Sequence, residues 1–558
     1  MEAHDSGGQS APSVGTMQQW PLTVTSLLDH AARWHAQQVV TCRTVEGPLT
    51  HTTYRQLHIR CQLLALALRD FGVRNQNCVG TIMWNTTRHL EAWYGIAGMG
   101  AICHTINPRL FAKDVIYLAD NAEDKVIIFD LTFLKLVESL ASELKTVKAF
   151  ILATDRQHMP RSSSIPNLYC YEELLEKQRP YLPFHWTVTD ELSACGACYT
   201  SGTTGQPKGV FYTHRSNYLT GLSVALPDGL AVDTSSRILL IVPMFHANGW
   251  AIPFAAVAAG ARLVLPGPAM DGPSVYDLLE HQKCNSTAAV PTVWNGLLLH
   301  MQEHNLRLSH LKICVIGGSA APLSMIKAFQ EEYGVEVRHL WGMTETSPIA
   351  TYNTPKGPML PMTREQDYSF RVKQGWPHFL NDMRVVDNEG QELPCNGTDQ
   401  GALQIRGHNI VGQYHKLSSG GANAEGWFDT GDIATIDEWG YMEIRDRSKD
   451  VIKSGGEWIS SVIIENVAVA HPEVFEAAVI GKPHKKWVER PLLIIVPAPG
   501  RQPTKESILG FLKGKIATWW MPDDVVFVEA IPHTGSGKIS KLDLRKQLAH
   551  VQLRESKL

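Results

Sequence analysis

A stretch rich in hydroxyl groups and glycine occupies residues 199–209, with the sequence Tyr-Thr-Ser-Gly-Thr-Thr-Gly-Gln-Pro-Lys-Gly. Gly202 and Gly205 let backbone N–H groups approach an oxygen ligand closely, and Lys208 supplies a positive charge. Further donors are the hydroxyl groups of Thr200, Ser201, Thr203 and Thr204. Because the Gly-Lys-Ser/Thr ending of a Walker P-loop is missing, the stretch predicts a polyphosphate site of another kind.

Two later stretches offer an aromatic ring and carboxylates. Residues 341–346 read Trp-Gly-Met-Thr-Glu-Thr, in which Trp341 is suited to stack on a base and Glu345 to hold Mg²⁺. Residues 427–432 read Trp-Phe-Asp-Thr-Gly-Asp, and Asp432 is suited to accept two hydrogen bonds from ribose hydroxyl groups. A Trp-Gly turn or a Gly-Asp pair alone is typical of ordinary structure.

Small residues and basic loops complete the set of candidate groups. Residues 317–322, Gly-Gly-Ser-Ala-Ala-Pro, follow a strand-like run and would let a flat ring lie against the backbone. Basic residues recur on the predicted loops 447–460 and 532–541. Each stretch alone is a weak signal, but together and in this order they predict a nucleotide site.

Strand-like apolar runs alternate with helical patterns along most of the chain. The runs lie at 79–83, 125–129, 149–152, 237–243, 261–265, 287–290 and 311–316. Helical spacing occurs at 22–34, 53–71, 91–99, 112–121, 461–470 and 505–519. This alternation predicts an α/β fold with layered parallel sheets, in which ligands collect at the carboxyl ends of strands. Short runs between Gly-rich turns at 384–447 predict a small β-rich subdomain, and the last hundred or so residues predict an α+β unit.

Length, composition and charge narrow the class of protein. The chain has 558 residues, 44% of them hydrophobic, so two or three folded units are expected. A formal net charge of −4 argues against general affinity for nucleic acid. The most apolar stretch, 251–266, is interrupted by Pro253, Gly260 and Arg262, so we predict no transmembrane segment.

The cysteines and the chain ends bear on the cellular compartment. Ten scattered cysteines favour reduced thiols, and the Cys195–Cys198 pair predicts a buried strand rather than a zinc site. Residues 1–18 predict a disordered tail without signal-peptide features. The terminal tripeptide 556–558, Ser-Lys-Leu, is the address read by the peroxisomal import receptor, so we expect peroxisomal localisation after synthesis in the cytosol.

In their order, these motifs resemble the adenylate-forming superfamily of acyl-CoA synthetases, aryl-CoA ligases, luciferases and peptide-synthetase adenylation domains. The resemblance covers residues 21–547. Within the superfamily, the chain is most similar to the medium- and long-chain fatty acyl-CoA synthetase branch. Three stretches carry this likeness: 90–110, 242–250 (Val-Pro-Met-Phe-His-Ala-Asn-Gly-Trp) and 452–461 (Ile-Lys-Ser-Gly-Gly-Glu-Trp-Ile-Ser-Ser).

The resemblance implies a role for each nucleotide-binding position. Thr200 and Glu345 would lie near Mg²⁺, Thr344 would contact the α-phosphate, and Asp432 would hold the ribose. The implied nucleotide contacts are Thr200, Ser201, Gly202, Thr203, Thr204, Gly205, Lys208, Gly318, Ser319, Ala320, Trp341, Gly342, Met343, Thr344, Asp432, Arg447, Lys449 and Lys538. Position 341 is Trp where many relatives carry Tyr, and both side chains can stack on adenine.

The resemblance also implies a site at the junction of two domains. It places an N-terminal domain at 19–446, a hinge at 447–450 that contains Lys449, and a small mobile C-terminal domain at 451–555. Lys538 would serve adenylation, and rotation about the hinge would then bring in the CoA-facing segment. The groups implied on that segment are Lys453, Gly455, Gly456 and Trp458.

The implied activity is ATP-dependent acyl-CoA synthesis with Mg²⁺, ATP and CoA. A carboxylic acid would form an acyl adenylate with release of pyrophosphate, and CoA would then take the acyl group as AMP leaves. The implied catalytic residues are Lys538, Lys453, Thr344 and His246, while Trp250 and His246 would lie at the gate of a fatty-acid tunnel. The branch includes homodimers that associate through their N-terminal domains, so the resemblance implies a homodimer here. An aryl (cinnamate- or benzoate-type) or short-chain acyl-CoA ligase is the main alternative, and a luciferase-like monooxygenase is more distant.

Overall fold

The computed structural model describes residues 15–188, 190–200, 206–454, 457–534, 538–551 and 553. Across these residues it contains four β-sheets flanked by α-helices. The predicted α/β fold is confirmed, because parallel sheets form a large N-terminal part that is followed by a small antiparallel sheet and an α+β C-terminal unit. The predicted targeting tripeptide and most of the predicted N-terminal tail lie outside the described residues and stay predictions.

The strands carry the sheet framework. In chain order they are β1 Val39–Arg43, β2 Leu49–Thr53, β3 Cys78–Ile82, β4 Ile102–Thr105, β5 Val126–Phe129, β6 Ala149–Leu152, β7 Leu168–Cys170, β8 Ala194–Tyr199, β9 Gly209–Thr213, β10 Arg237–Leu239, β11 Arg262–Leu265, β12 Ser286–Ala289, β13 Ile313–Ile316, β14 Glu336–Trp341, β15 Thr351–Tyr352, β16 Trp376–Pro377, β17 Asn381–Val386, β18 Gly401–Gly407, β19 Phe428–Ile436, β20 Met442–Arg447, β21 Ile452–Ser454, β22 Glu457–Ile459, β23 Val474–His484, β24 Val488–Pro497 and β25 Asp524–Phe527.

The helices cover the sheets. In chain order they are α1 Val24–Trp34, α2 Tyr54–Asp70, α3 Thr87–Gly98, α4 Ala112–Ala122, α5 Leu134–Leu140, α6 Tyr171–Gln178, α7 His214–Ala225, the short turn α8 Ala247–Trp250, α9 Ile252–Ala259, α10 Gly272–His281, α11 Pro291–Glu303, α12 Leu323–Lys327, α13 Arg364–Arg371, α14 Ser461–Val469, α15 Lys505–Leu512 and α16 Lys541–Gln547.

Two mainly parallel sheets form the N-terminal part. One has the strand order β7-β6-β5-β3-β4-β8-β9, and the other has the order β16-β15-β14-β13-β12-β10-β11-β1-β2. Central strands such as β5, with the sequence Val-Ile-Ile-Phe, are buried at every position because helices cover both faces of the sheet. The carboxyl ends of β8, β13 and β14 carry the loops that contain three of the predicted motifs.

Two smaller sheets follow. Strands β17 to β20 form an antiparallel sheet in which Asp432 of β19 lies opposite Arg447 of β20. The C-terminal sheet contains β21 to β25 and packs against α14 and α15. Because β20 ends at Arg447 and β21 begins at Ile452, the predicted hinge at 447–450 connects the last strand of one sheet to the first strand of the next.

Local sequence signals set the ends of helix α2. The Thr53 hydroxyl accepts a hydrogen bond of 3.2 Å from Gln56 N, and Gln56 Oε1 accepts one of 2.9 Å from Thr53 N, which is a capping box. At the other end, Gly72 has a φ of +79°, a conformation that glycine adopts without steric cost. The predicted helix at 53–71 therefore agrees with the observed helix to within one residue at each end.

One predicted helix is too long, and one strand was not identified from the sequence. The helix predicted at 505–519 ends at Leu512, because the chain turns through Gly514, whose φ is +78°. Strand β19 was not predicted, although its central residues are almost all buried. Its sequence, Phe-Asp-Thr-Gly-Asp-Ile-Ala-Thr-Ile, contains two aspartates and a glycine, residue types that are depleted in strands.

The cysteine pair and the apolar stretch both lie inside the fold. Cys195 and Cys198 are buried in β8, and burial raises the pKa of both thiols. The stretch 251–266 contains helix α9, a left-handed residue at Gly260 and strand β11. Within the described ranges, no helix is long and apolar enough to cross a membrane.

Candidate active site

The predicted polyphosphate loop connects strands β8 and β9, which pair with each other antiparallel. Thr200 N donates to Lys208 O at 2.9 Å, so the two ends of the loop are joined. Five of the predicted phosphate contacts lie outside the described residues, namely Ser201, Gly202, Thr203, Thr204 and Gly205. The ammonium group of Lys208 lies 4.7 Å from the centre of the Tyr414 ring.

Glu345 lies on a 3₁₀ turn at Thr344–Thr346 that follows β14. It is buried, and its Oε1 accepts a hydrogen bond of 2.6 Å from the hydroxyl group of Tyr414. The backbone of the turn is held by two further bonds, from Tyr212 Oη to Thr344 O at 2.8 Å and from Val411 N to Glu345 O at 2.8 Å. The turn therefore presents the Glu345 carboxylate in a fixed position.

The backbone between β14 and the Glu345 turn requires glycine at position 342. A Cβ at Gly342 would lie 1.8 Å from Pro348 O, well inside any permitted contact. Gly342 and Met343 are half-buried, and Met343 packs at the border of the apolar cluster that also contains Trp341. These positions fix the backbone path between β14 and Glu345.

The carboxylate of Glu345 suits a magnesium ion that is also coordinated by phosphate oxygens of a bound nucleotide. The described part of the chain holds no cluster of three His, Cys, Asp or Glu side chains that could bind a metal alone. Glu345 Oε2 has no hydrogen-bond partner among the described residues. Mg²⁺ is commonly held by one or two carboxylates together with substrate phosphates. Glu345 therefore fits the predicted metal role, with Thr200 at the edge of the phosphate loop.

Asp432, Trp341 and Arg447 form one hydrogen-bonded group. Asp432 is buried, and its Oδ1 lies 2.9 Å from Arg447 Nε, while its Oδ2 accepts a bond of 3.2 Å from Trp341 Nε1. Burial raises the pKa of Asp432, and the positive charges of Arg447 and Lys538 oppose that shift. A tryptophan at position 341 thus supplies an N–H donor to the predicted ribose carboxylate. Stacking of Trp341 on a base stays a prediction.

The Gly317–Gly318 turn after β13 packs against an indole ring. A Cβ at Gly317 would lie 2.9 Å from Trp250 Cη2, and Gly318 has a φ of +82°. The turn therefore needs glycine both for its conformation and for the close approach of Trp250. Ser319 is exposed and Ala320 is half-buried, so these two predicted adenine contacts lie at the open side of the turn.

Trp250 lies in a left-handed stretch of backbone. Residues 247–251 all have positive φ, between +36° and +65°, and only one of them is glycine. Each such non-glycine residue costs about 1–2 kcal/mol. Surrounding contacts hold the stretch, including a bond of 3.2 Å from Asn248 Nδ2 to Thr105 Oγ1 and the burial of Trp250 in the main apolar cluster.

Lys538 reaches from the C-terminal unit into this group of residues. Its Cε would lie 3.9 Å from a Cβ at Gly318. Burial and the charge of Arg447 lower the pKa of Lys538 to about 8, against the opposing effect of Asp432 and Glu345. Burial, together with Lys538, lowers the pKa of His246 to about 3, so His246 is neutral at physiological pH. The structure therefore brings Lys538 together with the predicted ribose, metal and gate residues.

The remaining C-terminal candidates lie elsewhere. Lys453 has an exposed side chain, and its backbone N–H donates to Glu489 Oε2 at 2.9 Å within the same unit. Lys453 pairs with Trp458 across the β21–β22 hairpin, whereas Gly455 and Gly456 lie outside the described residues. Lys449 is largely exposed, and partial desolvation of its ammonium group lowers its pKa. This arrangement presents Lys538 rather than Lys453 to the site.

Contacts across the predicted hinge hold this arrangement. Asp446 Oδ2 accepts bonds from Ser461 N at 2.7 Å and from Ser461 Oγ at 2.5 Å. Asp450 forms an ion pair of 2.8 Å with Arg545. Sequence reasoning missed Asp446, Ser461 and Tyr414, since short polar residues beside a turn and a lone tyrosine carry no spacing signal.

Comparisons with known proteins agree with the geometry. A sequence profile described as "AMP-binding enzyme" matches residues 28–415, and one described as "AMP-binding enzyme C-terminal domain" matches residues 463–538. The chain is 44% identical to a 3-methylmercaptopropionyl-CoA ligase of Ruegeria lacuscaerulensis, over 96% of this chain and 98% of that protein. It is 42% identical to a medium-chain-fatty-acid–CoA ligase of Ectopseudomonas oleovorans, over 97% of this chain and 99% of that protein.

A solved structure is also similar over almost the whole chain. It is the crystal structure of an anthranilate CoA ligase in complex with anthranoyl-AMP, with a TM-score of 0.84 and 25% sequence identity. The similarity covers 96% of this chain and 100% of that chain. The fold, including both the N-terminal sheets and the C-terminal unit, is therefore shared with a CoA ligase that was crystallised with an acyl adenylate.

Proposed function

This chain belongs to the AMP-binding enzyme family, and from this premise we propose that it activates a medium- to long-chain fatty acid. The general activity of the family is that of an AMP-forming acyl-CoA ligase, which uses ATP, CoA and Mg²⁺. What we propose here is the identity of the acid substrate. Its support is that His246 is neutral and that the indole of Trp250 is buried against the Gly317–Gly318 turn. A buried indole beside an uncharged imidazole suits an aliphatic chain, and the nearby Lys538 ammonium group would lie toward the carboxylate end of the acid.

In the first half-reaction, an oxygen of the acid's carboxylate forms a bond to the α-phosphorus of ATP while the bond to pyrophosphate breaks. Both reactants are anions, so fixed positive charge has to lie beside the developing charge. We assign this role to Lys538, which is half-buried near the ion pair of Arg447 and Asp432. Bound Mg²⁺ would neutralise phosphate charge beside Glu345.

In the second half-reaction, the sulfur of CoA forms a bond to the carbonyl carbon of the adenylate, and the bond from that carbon to AMP breaks. The proton of the thiol passes to solvent, and AMP leaves with the electron pair of the broken bond on its phosphate oxygen. No protein nucleophile is needed, because the phosphate anhydride has already activated the acyl group. We propose that rotation about Lys449 replaces Lys538 with the β21–β22 hairpin, which carries Lys453 and Trp458.

The rate of adenylate formation should depend on the protonation of Lys538. Because its pKa is about 8, the ammonium form predominates below pH 8, is about half present at that pH and is lost as the pH rises further. We expect kcat/KM for ATP, measured by pyrophosphate release, to fall about tenfold per pH unit above pH 8. In Lys538→Arg the guanidinium stays protonated, so the remaining activity should lose this alkaline decline. An unchanged decline in that variant would assign it to another group.

A panel of acids tests the proposed substrate. Pyrophosphate release should be measured with 3-methylmercaptopropionate, acetate, hexanoate, octanoate, palmitate and cinnamate, with and without CoA. We expect kcat/KM to be highest for octanoate or palmitate, by about tenfold or more over acetate, because each buried CH₂ contributes about 0.8 kcal/mol. A clear preference for cinnamate would support the aryl ligase instead. Preference for acetate or 3-methylmercaptopropionate would support a short-chain ligase.

Replacement of Trp250, the predicted gate residue, tests whether this side chain determines the preference among the acids of the panel. We expect Trp250→Ala to change the ranking among octanoate, palmitate and cinnamate by more than it changes KM for ATP, because Trp250 is assigned to the acyl side although its indole also packs against the Gly317–Gly318 turn. Unequal effects on ATP and acid would support the assignment of Trp250 to the acyl side.

Light emission or oxygen consumption with a luciferin would support the luciferase-like alternative. Association into a homodimer stays a prediction.

A further inference from the structure

Tyr414 contacts two groups of the site without belonging to any motif predicted from the sequence. Its hydroxyl group donates a hydrogen bond of 2.6 Å to Glu345 Oε1, and both residues are 6% exposed. The face of its ring lies against Lys208, whose Nζ is 4.7 Å from the ring centre. A single phenol side chain therefore joins the carboxylate placed near the metal to the lysine placed at the phosphates.

The packing around Tyr414 fixes the ring between these groups. Phe428 contacts the ring edge-on, with ring centres 6.3 Å apart. On the side of Lys208, Gly420 has a φ of +83°, and a Cβ there would lie 3.4 Å from Lys208 Nζ and 3.7 Å from Tyr414 Cε2. Glycine at position 420 thus leaves room for the ammonium group over the ring. An ammonium group over an aromatic face is attracted by the ring quadrupole.

The hydroxyl group of Tyr414 also determines which carboxylate oxygen of Glu345 stays free. Within the described ranges, it is the one hydrogen-bond donor to that carboxylate, and it bonds only to Oε1. A carboxylate oxygen accepts bonds along defined lone-pair directions, so this bond restricts rotation of the group. Oε2 is then left for a cation, while Val411 N holds the backbone of Glu345 at 2.8 Å.

We propose that Tyr414 is a positioning residue that couples Lys208 to Glu345, so that the metal ion and the polyphosphate are bound as one unit. The proposal rests on the roles given above to Glu345 and Lys208. The hydroxyl group orients the carboxylate toward the metal, and the ring holds the ammonium group at the phosphates. Groups that orient metal ligands in this way typically change metal affinity by about 10–100-fold when they are lost.

Removal of the hydroxyl group tests the first half of the coupling. Mn²⁺ binding should be measured by electron paramagnetic resonance in the presence of α,β-methylene-ATP, which prevents turnover. We expect Tyr414→Phe to raise the Kd for Mn²⁺ about tenfold while thioester formation from supplied acyl adenylate is unchanged. Tyr441→Phe is the matched control, because Tyr441 is also a buried tyrosine that bonds through its hydroxyl group, to Thr354 O. An unchanged Mn²⁺ Kd in Tyr414→Phe overturns the proposal.

Removal of the ring tests the second half of the coupling. Tyr414→Leu loses both contacts, whereas Tyr414→Phe keeps the ring under Lys208. The binding of Mg²⁺ with α,β-methylene-ATP should be measured by titration calorimetry in each variant, with and without Lys208→Ala. We expect Lys208→Ala to weaken binding in Tyr414→Phe as much as in the parent protein, and at least threefold less in Tyr414→Leu. Equal effects of Lys208→Ala in all three backgrounds overturn the coupling.

The variant Glu345→Gln separates failure of the coupling from failure of the metal assignment. If Glu345→Gln weakens Mn²⁺ binding and Tyr414→Phe does not, the coupling alone is wrong. If Glu345→Gln leaves Mn²⁺ binding unchanged, the metal role of Glu345 is wrong and the coupling fails with it. Thermal unfolding of each variant shows whether it is folded at the temperature of the binding measurement.

Discussion

Replacement of Lys538 by alanine is expected to slow acyl-adenylate formation about a hundredfold or more. Thioester formation from supplied acyl adenylate should stay within about threefold of the parent rate. The physical reason is that the half-buried Lys538 lies near the buried carboxylates of Asp432 and Glu345, where its charge is only partly solvated. Loss of one preorganised group that stabilises developing charge typically costs on the order of 3 kcal/mol. After adenylate formation, the anionic attack on ATP is over and that charge is no longer required.

The two half-reactions can be measured separately. Pyrophosphate release without CoA reports the first, and acyl-CoA formation from synthetic acyl adenylate reports the second. Lys453→Ala is the matched variant with the opposite expectation, because Lys453 is exposed here and would face the site only after rotation. Equal loss of both half-reactions in Lys538→Ala would contradict the proposed division of labour, as would a loss of pyrophosphate release in Lys453→Ala.

Much of the candidate site could be predicted because its residues combine unusual chemistry with fixed order. Some residue types are informative in a sequence because a loop seldom needs them for its structure alone. Examples are the glycines at 317–318, the carboxylate at 345 and the lysine at 538. The structure places Lys538 beside Gly318, and Asp432 beside Arg447, although up to 220 residues separate these positions. The sequence could therefore predict which residues belong to the site, whereas the distances between these residues follow only from the fold.

The features that sequence reasoning missed depend on contacts between distant segments. The bond from Trp341 to Asp432 requires β14 to meet β19, and β19 has a sequence with few strand-forming residues. Tyr414 contacts Glu345 because the chain after β18 crosses the turn after β14. Neither contact leaves a periodic pattern, since the partners lie 91 and 69 residues apart.

A partly buried ion network was missed for a related physical reason. On helix α2, Arg60 interrupts a stripe of apolar residues and by itself indicates only a solvated position. In the fold, Arg60 Nε lies 2.6 Å from Glu91 of α3, and Arg60 Nη2 lies 2.9 Å from Glu172 of α6. Arg88 of α3 extends the network, at 2.8 Å from Glu172 and 2.7 Å from Glu46. The network therefore links three helices to the connection between β1 and β2.

Replacement of Arg60 by alanine is expected to destabilise the protein by about 3–5 kcal/mol. The reason is that the Glu91 side chain is 1% exposed and would be left as a buried carboxylate without its cationic partner. Tyr171 donates to Glu91 Oε2 at 2.8 Å, but a hydroxyl group supplies no charge. The midpoint of urea-induced unfolding, followed by tryptophan fluorescence, measures the change. Arg156→Ala is the matched control, because Arg156 is exposed in its ion pair with Glu173.

The pH dependence of the difference between parent and Arg60→Ala tests whether charge is the cause. Burial works against ionisation of Glu172, yet hydrogen bonds and charge from Arg60 and Arg88 hold its pKa below the ordinary value. A carboxylate whose pKa is lowered on folding stabilises the protein above its unfolded pKa of about 4, and this contribution is lost as the pH falls. The destabilisation by Arg60→Ala should therefore be largest near neutral pH and should shrink below about pH 4. A difference that is independent of pH would instead indicate lost packing by the arginine stem, as would an equal effect in Arg60→Met.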